Sequence, residues 1–270
     1  MLTSLVLTLT TARVLTFPPH LGRASHAAFL HIISHTDPDL AEQLHAPNQQ
    51  RPFTCSNVWG LRRRGHSLVM EPDRPAFLRY TGLNAKVSHR LRQLAQDPPA
   101  HVEIEGDKLL VQQATLDPAT HPWAGQTGYE ELASVHLLPG KSPPRRVELE
   151  FAAPTAFRSG GKTLPLPLPD LVYGGLVEKW NEFAHIAVSG EARRFAEESM
   201  AINRYKLSTR AITAKGKSVQ IGFVGHCRYI ALNQDRYWLS VIQLLSDYAF
   251  YAGVGYQTTR GMGQVRRSGK

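Results

Sequence analysis

Apolar and polar positions follow regular patterns along the chain, and these patterns predict successive strands and helices. Residues Leu2–Thr10 alternate leucine or valine with threonine or serine, which is typical of a strand with one buried face. Apolar and small residues at helical spacing predict a helix over Gly22–Ser34 and a shorter one over Pro38–Leu44. The elements predicted after these are strands at Phe53–Trp59 and Ser67–Arg79 with an arginine turn at Arg62–Gly65 between them, a helix at Leu83–Gln96, and a strand pair at Ala100–Gln113.

The second half of the chain repeats this order of elements. Those predicted are a strand at Arg145–Phe151, a helix at Leu171–Ala184, strands at Tyr205–Ala214 and Val219–Leu232, a helix at Trp238–Tyr251 and a strand at Gly263–Arg266. The order strand, helix, strand, strand, helix, strand is the ferredoxin-like plan. Glycine and proline interrupt the pattern at Gly140–Pro144. We therefore predict an α+β protein with tandem ferredoxin-like (RNA-recognition-motif-like) domains, at residues 1–139 and 145–270.

Composition narrows the class of protein. A chain of 270 residues, 42% of them hydrophobic, suits one large domain or two medium ones. No apolar run reaches the roughly 18 residues that cross a bilayer, and two cysteines, Cys55 and Cys227, make neither a disulfide framework nor a zinc quartet. We expect a cytoplasmic protein with no membrane partner and no cofactor. The net charge of +9 favours a nucleic-acid partner.

A glycine-rich segment near the C-terminus carries the first functional signal. Its four glycines lie within eleven residues, and they are Gly253, Gly255, Gly261 and Gly263. Such a segment lets the backbone approach a ligand closely, and its N–H groups can meet phosphate oxygens. Tyr256 adds a stacking face and Arg260 adds positive charge. Glycines of this kind are also common in plain tight turns. A Walker loop or a Rossmann fingerprint is disfavoured, because this segment follows a predicted helix and precedes a short strand.

Three other segments carry motifs that support a functional interpretation together with the glycine-rich segment. They are the F-x-x-P-T-x-F pattern at Phe151–Phe157, the proline turn and helix over Leu166–Phe183, and the strand and turn at Gly222–Gly225. Together with Gly253–Val265 they resemble the CRISPR repeat-processing endoribonucleases of the Cas-six family, within the repeat-associated mysterious protein superfamily. The resemblance implies tandem ferredoxin-like domains and a metal-independent endoribonuclease. Its substrate would be precursor CRISPR RNA, cut within the repeat by attack of a 2′-hydroxyl to leave a 2′,3′-cyclic phosphate and a 5′-hydroxyl.

The resemblance also implies where cleavage takes place. In the family, catalytic residues come from the first helix and from the loop just beyond it. A histidine on the helix, a histidine after it and a basic residue six positions later correspond here to His26, His45 and Arg51. Arg23 lies three residues before His26 on the same helical face and is predicted to contact the scissile phosphate. These residue types suit cleavage without a metal, which needs a base, an acid and a cation. Which histidine is the base stays open, and His20 is the next candidate.

RNA binding is predicted to rest on glycine, aromatic and basic side chains in the second half of the chain. The predicted RNA-binding residues are Gly253, Gly255, Tyr256, Arg260, Gly261, Gly263, Arg204, Lys206 and Arg210. In the family a repeat RNA, often a hairpin, is held by the cleft between the domains and by one face of the second domain. Other CRISPR effector subunits and a second copy of the chain in a homodimer are the further partners expected.

Several other functions were weighed against this one. A noncatalytic RNA-binding subunit of a CRISPR effector complex would share the fold, the charge and the glycine-rich segment but would lack the two histidines. Paired RNA-recognition motifs would carry aromatic residues in a K/R-G-F/Y-G/A-F-V-x-F/Y pattern, which is missing here. The sequence also lacks an H-E-x-x-H motif, paired cysteines and an acidic cluster for metal chemistry, and it lacks the G-x-S-x-G elbow of a serine hydrolase.

Overall fold

The chain divides into two units, and the first takes in three residues from near the C-terminus. This is a computed structural model of the protein, and it describes residues 1–46, 50–138, 140, 142–213 and 219–268. The first unit comprises Met1–Gln126 and Thr259–Gly261, and the second comprises Thr127–Thr258 and Met262–Lys270. The described residues include no helix that is both long enough and apolar enough to span a bilayer.

The first unit has the ferredoxin-like arrangement with additions. Its elements are β1 (Leu2–Thr10), β2 (Leu15–Phe17), α1 (Gly22–Thr36), α2 (Pro38–His45), β3 (Phe53–Cys55), β4 (Arg62–Arg64), β5 (Ser67–Met70), β6 (Ala76–Gly82), α3 (Ala85–Gln96), β7 (His101–Ile104), β8 (Asp107–Thr115) and β9 (Gly125–Thr127). The antiparallel strands lie in the order β3-β6-β1-β8, which places the second, third, first and fourth strands of the plan side by side. The strand β7 extends this sheet by pairing with β8, and β9 pairs with β1.

Aromatic packing fixes the helix that carries the predicted catalytic histidine. The ring of Phe29 on α1 lies 4.6 Å from that of Phe53 on β3 and 4.9 Å from that of Tyr80 on β6. All three side chains are buried, so α1 is held against one edge of the sheet. Asp37 then caps α2 by accepting a hydrogen bond from the backbone N–H of Leu40 at 3.0 Å.

The second unit repeats the ferredoxin-like order. Its elements are α4 (Tyr129–Leu137), β10 (Arg146–Thr155), β11 (Phe157–Ser159), β12 (Lys162–Leu164), α5 (Pro169–Phe183), α6 (Ala192–Ser199), β13 (Met200–Thr213), β14 (Val219–Ala231), α7 (Arg236–Ala252) and β15 (Val265–Arg267). Its antiparallel sheet has the order β13-β14-β10-β15, so β13 is an edge strand. The helix α7 begins at a cap from Asp235, which accepts a hydrogen bond from the Trp238 N–H, and it ends at Gly253.

The prediction of tandem ferredoxin-like domains is confirmed, but several local predictions differ from the structure. Arg62–Arg64 forms the exposed strand β4 instead of part of a turn. The chain reverses direction directly after β4, at Gly65, where φ is +61°. The predicted strand Ser67–Arg79 is divided into β5 and β6. The strands β5, β4 and β2 make a separate three-stranded sheet. Exposed arginines give a strand no apolar alternation, so the pattern did not indicate β4.

The two units also differ from the predicted domain ranges 1–139 and 145–270. The helix α4 belongs to the second unit, because the ring of Tyr129 packs 5.0 Å from that of Trp180 on α5 and 6.0 Å from that of Tyr248 on α7. Residues Thr259–Gly261 belong to the first unit. Residues 139 and 141 at the predicted junction, and Ala214 at the end of a predicted strand, lie outside the described residues.

Candidate active site

The N-terminus of α1 is uncapped by its own residues and packs against a backbone segment that is distant in the sequence. The helix has no side-chain cap and no acidic residue in its first turn. The backbone N–H of Leu21, just before the helix, donates to the Asn57 side-chain oxygen at 2.7 Å. The first-turn N–H groups of a helix carry partial positive charge. The beginning of α1 therefore adds to the positive charge that surrounds it.

Two glycines allow residues Thr259–Gly261 to lie directly on this helix end. A Cβ atom at Gly22 would fall 2.0 Å from the carbonyl oxygen of Arg260, and one at Gly261 would fall 2.8 Å from the Cα of Gly22. Gly261 also has φ at +84°, a conformation that favours glycine. Its N–H donates to the Cys55 carbonyl oxygen at 3.0 Å, which fastens this segment beside β3. Any larger side chain at position 22 would separate the segment from α1.

Two histidines hold the adjacent carbonyl groups of this segment. His26 Nδ1 lies 3.0 Å from the carbonyl oxygen of Thr259, and His20 Nε2 lies 3.1 Å from that of Arg260. A carbonyl oxygen only accepts hydrogen bonds, so each of these nitrogens carries the hydrogen. In the neutral His26 ring, Nε2 is therefore left as a proton acceptor. The ring of His26 also stacks on Phe53, with 5.6 Å between centroids, and this contact restricts its orientation.

Burial and the charges around His26 disfavour its protonated form. Burial is the main cause that lowers the pKa of His26 to about 4. The positive charges of Arg260, Arg51 and His45 act in the same direction, while the hydrogen bond to the Thr259 carbonyl acts against them. Burial likewise lowers the pKa of His20. The pKa of Arg51 is lowered first by burial and then by Arg260. The neighbouring charges that act on His26 and Arg51 are thus positive, and such a cluster suits an anionic ligand.

His45 and Arg51 lie close enough to His26 for their charges to lower its pKa. His45 is the last residue of α2 and its side chain is exposed. The half-buried Arg51 donates from Nη2 to the His45 carbonyl oxygen at 3.2 Å, while its Nη1 is buried and has no hydrogen-bond partner among the described residues. An unsatisfied guanidinium nitrogen is costly unless a ligand pairs with it. Arg23 lies in the first turn of α1 and is exposed.

The remaining glycines of the glycine-rich segment shape it within the second unit. Gly253 ends α7 with φ at +62°, and Gly255, with φ at +80°, would place a Cβ 2.3 Å from the Ala156 carbonyl oxygen. The N–H of Gly263 donates to the Pro154 carbonyl oxygen, and the N–H of Gly253 donates to that of Ala249. The N–H groups of Gly253, Gly261 and Gly263 therefore satisfy the protein's own backbone. These three glycines permit close packing of the backbone. The sequence pattern predicts instead that their N–H groups bind phosphate.

Tyr256 and the basic strand residues occupy different places in the second unit. The Arg158 guanidinium lies 5.1 Å from the centroid of the Tyr256 ring, and Tyr256 packs against a small cluster around Met262. One face of this ring is therefore already covered. The predicted RNA-binding residues of the edge strand β13 are exposed at alternating positions, and they are Arg204, Lys206 and Arg210.

The structure brings His26, His45, Arg51 and Arg260 together in the first unit and adds two residues to them. His20 was a secondary candidate in the sequence, and Asn57 was not singled out at all. Asn57 organises the beginning of α1 through Leu21. The position of His20 directly before a helix after two prolines was the available signal, whereas nothing in the local pattern around Asn57 indicates its contact with residue 21.

Comparison with known families shows which family the chain belongs to. The family model described as CRISPR-associated endoribonuclease Cas6 matches residues 149–265, and the model of the CRISPR Cas6 N-terminal domain matches residues 1–134. The chain belongs to the Cas6 family. A Cas6 endoribonuclease of Mycobacterium tuberculosis is 28% identical over 127 residues, which are 45% of this chain and 38% of that relative. The chain therefore aligns with less than half the length of the curated relative.

Solved Cas6 structures match the whole chain. A product complex of Thermus thermophilus Cas6 is 25% identical, covers 99% of both chains and has a TM-score of 0.81. A second Cas6 product complex is also 25% identical, with a TM-score of 0.75 and the same coverage. Within the described part of this Cas6 chain, no three histidine, cysteine or carboxylate side chains are grouped to hold a metal ion. Cys55 and Cys227 are buried, and neither forms a disulfide bond with another described residue.

Proposed function

We propose that the chain is a metal-independent endoribonuclease that cleaves precursor CRISPR RNA within the repeat. The observation that carries this proposal is the position of His26, whose Nδ1 is fixed by the Thr259 carbonyl and whose pKa is lowered by burial and by the positive charges of Arg260, Arg51 and His45. A base beside uncompensated cations suits attack on a phosphodiester. The product complexes of two similar Cas6 proteins and the family membership support the same function.

The proposed reaction uses two histidines in different roles. Nε2 of His26 accepts the proton of the 2′-hydroxyl, and the oxygen forms a bond to the adjacent phosphorus. The bond from phosphorus to the 5′-oxygen then breaks. His45 donates a proton to the departing 5′-oxygen, so that the products are a 2′,3′-cyclic phosphate and a 5′-hydroxyl. We assign His26 as the base because its acceptor nitrogen is defined by the hydrogen bond on the other side of the ring.

The bound phosphate is expected to tune this base. The pKa of His26 is about 4 while its neighbouring charges are all positive. A phosphate held by Arg51 and Arg260 introduces negative charge beside the imidazole and favours its protonated form. The pKa of His26 then rises towards the working pH, where proton transfer is most efficient. The substrate itself would thus activate the base.

The cations are assigned to the phosphate. Arg51 has a buried nitrogen that no described residue pairs with, and Arg260 lies close enough to lower the pKa of Arg51. Both are placed to stabilise the charge of the phosphorane as it develops. Arg23 and the bare first turn of α1 add positive potential beside them.

The rest of the repeat is assigned to the second unit. Arg204, Lys206 and Arg210 form an exposed basic row along β13, which suits the phosphates and 2′-hydroxyls of A-form RNA. Other CRISPR effector subunits, a homodimer and a cytoplasmic location stay predictions from the sequence.

Cleavage is expected to continue in excess EDTA. The described residues group no three metal-binding side chains, and the proposed mechanism assigns each proton transfer to a histidine. The measurement is single-turnover cutting of repeat RNA transcribed from the host CRISPR array, with analysis of the product ends for a cyclic phosphate. A 2′-deoxy substitution at the cut is the control and should stop cleavage. Activity that disappears in EDTA and returns with Mg²⁺ would contradict the proposal, and binding without any cutting would favour a noncatalytic RNA-binding subunit.

RNA affinity is expected to fall as salt concentration rises, because Lys and Arg contacts release counterions from the phosphates. Replacing Arg260 by alanine should weaken binding and reduce the slope of log affinity against log salt by about one. Gly255→Val should also weaken binding, since its side chain would meet the Ala156 carbonyl oxygen. Fluorescence anisotropy with the same RNA measures both effects.

Arg194→Ala is the matched control for this measurement. Arg194 is an exposed arginine of α6 that pairs with Glu191 and Glu198. It should retain the affinity and salt slope of the wild type. An affinity that is independent of salt, or an Arg260→Ala variant that matches the control, would count against this role.

A further inference from the structure

A lysine of the second unit ties together the two ends of the segment Gly253–Thr258. Lys179 lies on α5, and its Nζ donates to the carbonyl oxygens of Ala252 at 2.9 Å and Gly253 at 3.3 Å. The hydroxyl oxygen of Thr258 lies 3.5 Å from the same nitrogen. Ala252 is the last residue of α7, directly before the segment, and Thr258 is the last residue of the segment. One ammonium group therefore contacts both ends of the segment.

We propose that Lys179 is a positioning residue for RNA binding, whose ammonium group holds the segment Gly253–Thr258 in its binding shape. This inference rests on the proposed function, because the segment contains Gly255 and Tyr256, which the sequence predicts to bind RNA, and leads directly to Arg260. Lys179 itself is half-buried beneath the segment and is not expected to touch RNA.

The surroundings of Lys179 require a charged donor. Its three neighbours are all acceptors, and two of them are carbonyls at the C-terminal end of α7, where orphan carbonyls and the helix dipole favour a cation. An ammonium group has three hydrogens for three acceptors. On the opposite side, the segment is held by its own backbone, since Val254 donates to Gly263 and Tyr256 donates to Ala156. The carbonyl groups of Ala252 and Gly253 thus depend on Lys179 as their hydrogen-bond donor.

One carboxylate of α5 and one of α7 have other partners. Glu178 of α5 pairs with Arg193 of α6, and Asp247 of α7 pairs with both His136 and Arg267. Burial alone lowers the pKa of Lys179, to about 8. The ammonium group is therefore present below pH 8 and is lost as the pH rises through that value, well before a lysine in the unfolded chain loses its proton at about 10.4.

This shift has opposite consequences for stability and for binding. Between pH 8 and about 10 the unfolded chain binds the proton that folded Lys179 has released, so the contribution of this group to the free energy of unfolding rises with pH. The contact with the segment disappears over the same range, so RNA affinity should fall. A lysine that only supported the fold would change the free energy of unfolding over this range and leave the RNA affinity unchanged.

The test compares wild type, Lys179→Met and the control Lys108→Met, which replaces an exposed lysine of β8 in the first unit. Anisotropy with repeat RNA from the host CRISPR array is measured from pH 7 to 9.5 at constant ionic strength, and thermal unfolding is followed in parallel. At pH 7 we expect Lys179→Met to bind about tenfold more weakly than wild type without a lower melting temperature. At pH 9.5 the two affinities should converge, while Lys108→Met should follow wild type throughout.

Equal affinities of wild type and Lys179→Met at pH 7, or a difference that stays constant with pH, would overturn this inference alone. Absence of RNA binding by the wild type would overturn the proposed function together with it. If Lys179→Met does not fold, Thr258→Val removes one acceptor while keeping the shape of the side chain. That variant should bind about threefold more weakly at pH 7, and unchanged binding by it would also overturn the inference.

Discussion

Replacing His26 by alanine is expected to slow single-turnover cleavage of repeat RNA by about 10²–10⁴-fold, the range for a positioned proton-transfer group, while RNA affinity stays near that of wild type. The neutral ring contributes its Nε2 lone pair to the reaction and little to backbone binding. His26→Asn should be as slow, because an amide can donate to the Thr259 carbonyl but cannot accept the proton. The measurement is the cleavage rate at saturating protein, with affinity determined separately.

The comparison needs a histidine that lies outside the site and a second one within it. His89→Ala, on the exposed side of α3, should cut at the wild-type rate. His45→Ala should be slowed over the same range as His26→Ala, and losing both should cost less than the product of the single losses, since residues that act as a unit are not additive. If His26→Ala and His45→Ala both cut normally, the base lies elsewhere and His20 becomes the candidate.

The substitution Gly22→Ala is expected to reduce cleavage by about 10²-fold or more, although it adds a single methyl group. Its Cβ would fall 2.0 Å from the Arg260 carbonyl oxygen, so residues Thr259–Gly261 must move away from α1. The Thr259 carbonyl would then leave His26 Nδ1, and misplacement of a catalytic group by about 1 Å can cost 10²-fold. Single-turnover cleavage measures this loss, and circular dichroism checks that the variant is folded.

Gly175→Ala is the matched control for that substitution. Gly175 lies inside α5, and a Cβ there meets no atom within 4 Å, so alanine should be tolerated or should stabilise the helix by about 1 kcal/mol. If Gly22→Ala cleaved at the wild-type rate, activity would not require the contact between the segment Thr259–Gly261 and α1.

The fold could largely be predicted from the sequence because its signals are local. Alternation in Leu2–Thr10 and helical spacing over Gly22–Ser34 identified β1 and α1, which carry the first ferredoxin-like arrangement. The bounds of β1 were predicted correctly, but the alternation indicated one buried face, whereas the polar residues of β1 are largely buried as well. Ser4, for example, is buried and donates a hydrogen bond to the Trp123 carbonyl.

The candidate site could be predicted only in part, because its defining contacts are distant in sequence. His26 and His45 followed from the resemblance. The carbonyl partners of His26 and His20 lie 233 and 240 positions away, and no periodicity reports a contact over that distance. Gly22 was also invisible as a functional residue, because its importance lies in the space that a missing side chain leaves for another part of the backbone.

The attachment of Thr259–Gly261 to the first unit has a consequence for the order in which activity develops during synthesis. A fragment ending at Gln126 would contain every histidine assigned to catalysis, yet it would lack the carbonyl group that sets which nitrogen of His26 is free. On the ribosome, a chain whose residues Met1–Gln126 have already folded would still be inactive until residue 261 had left the exit tunnel. Nascent chains would therefore be unable to cut RNA, and cleavage would begin only after the second unit had been made.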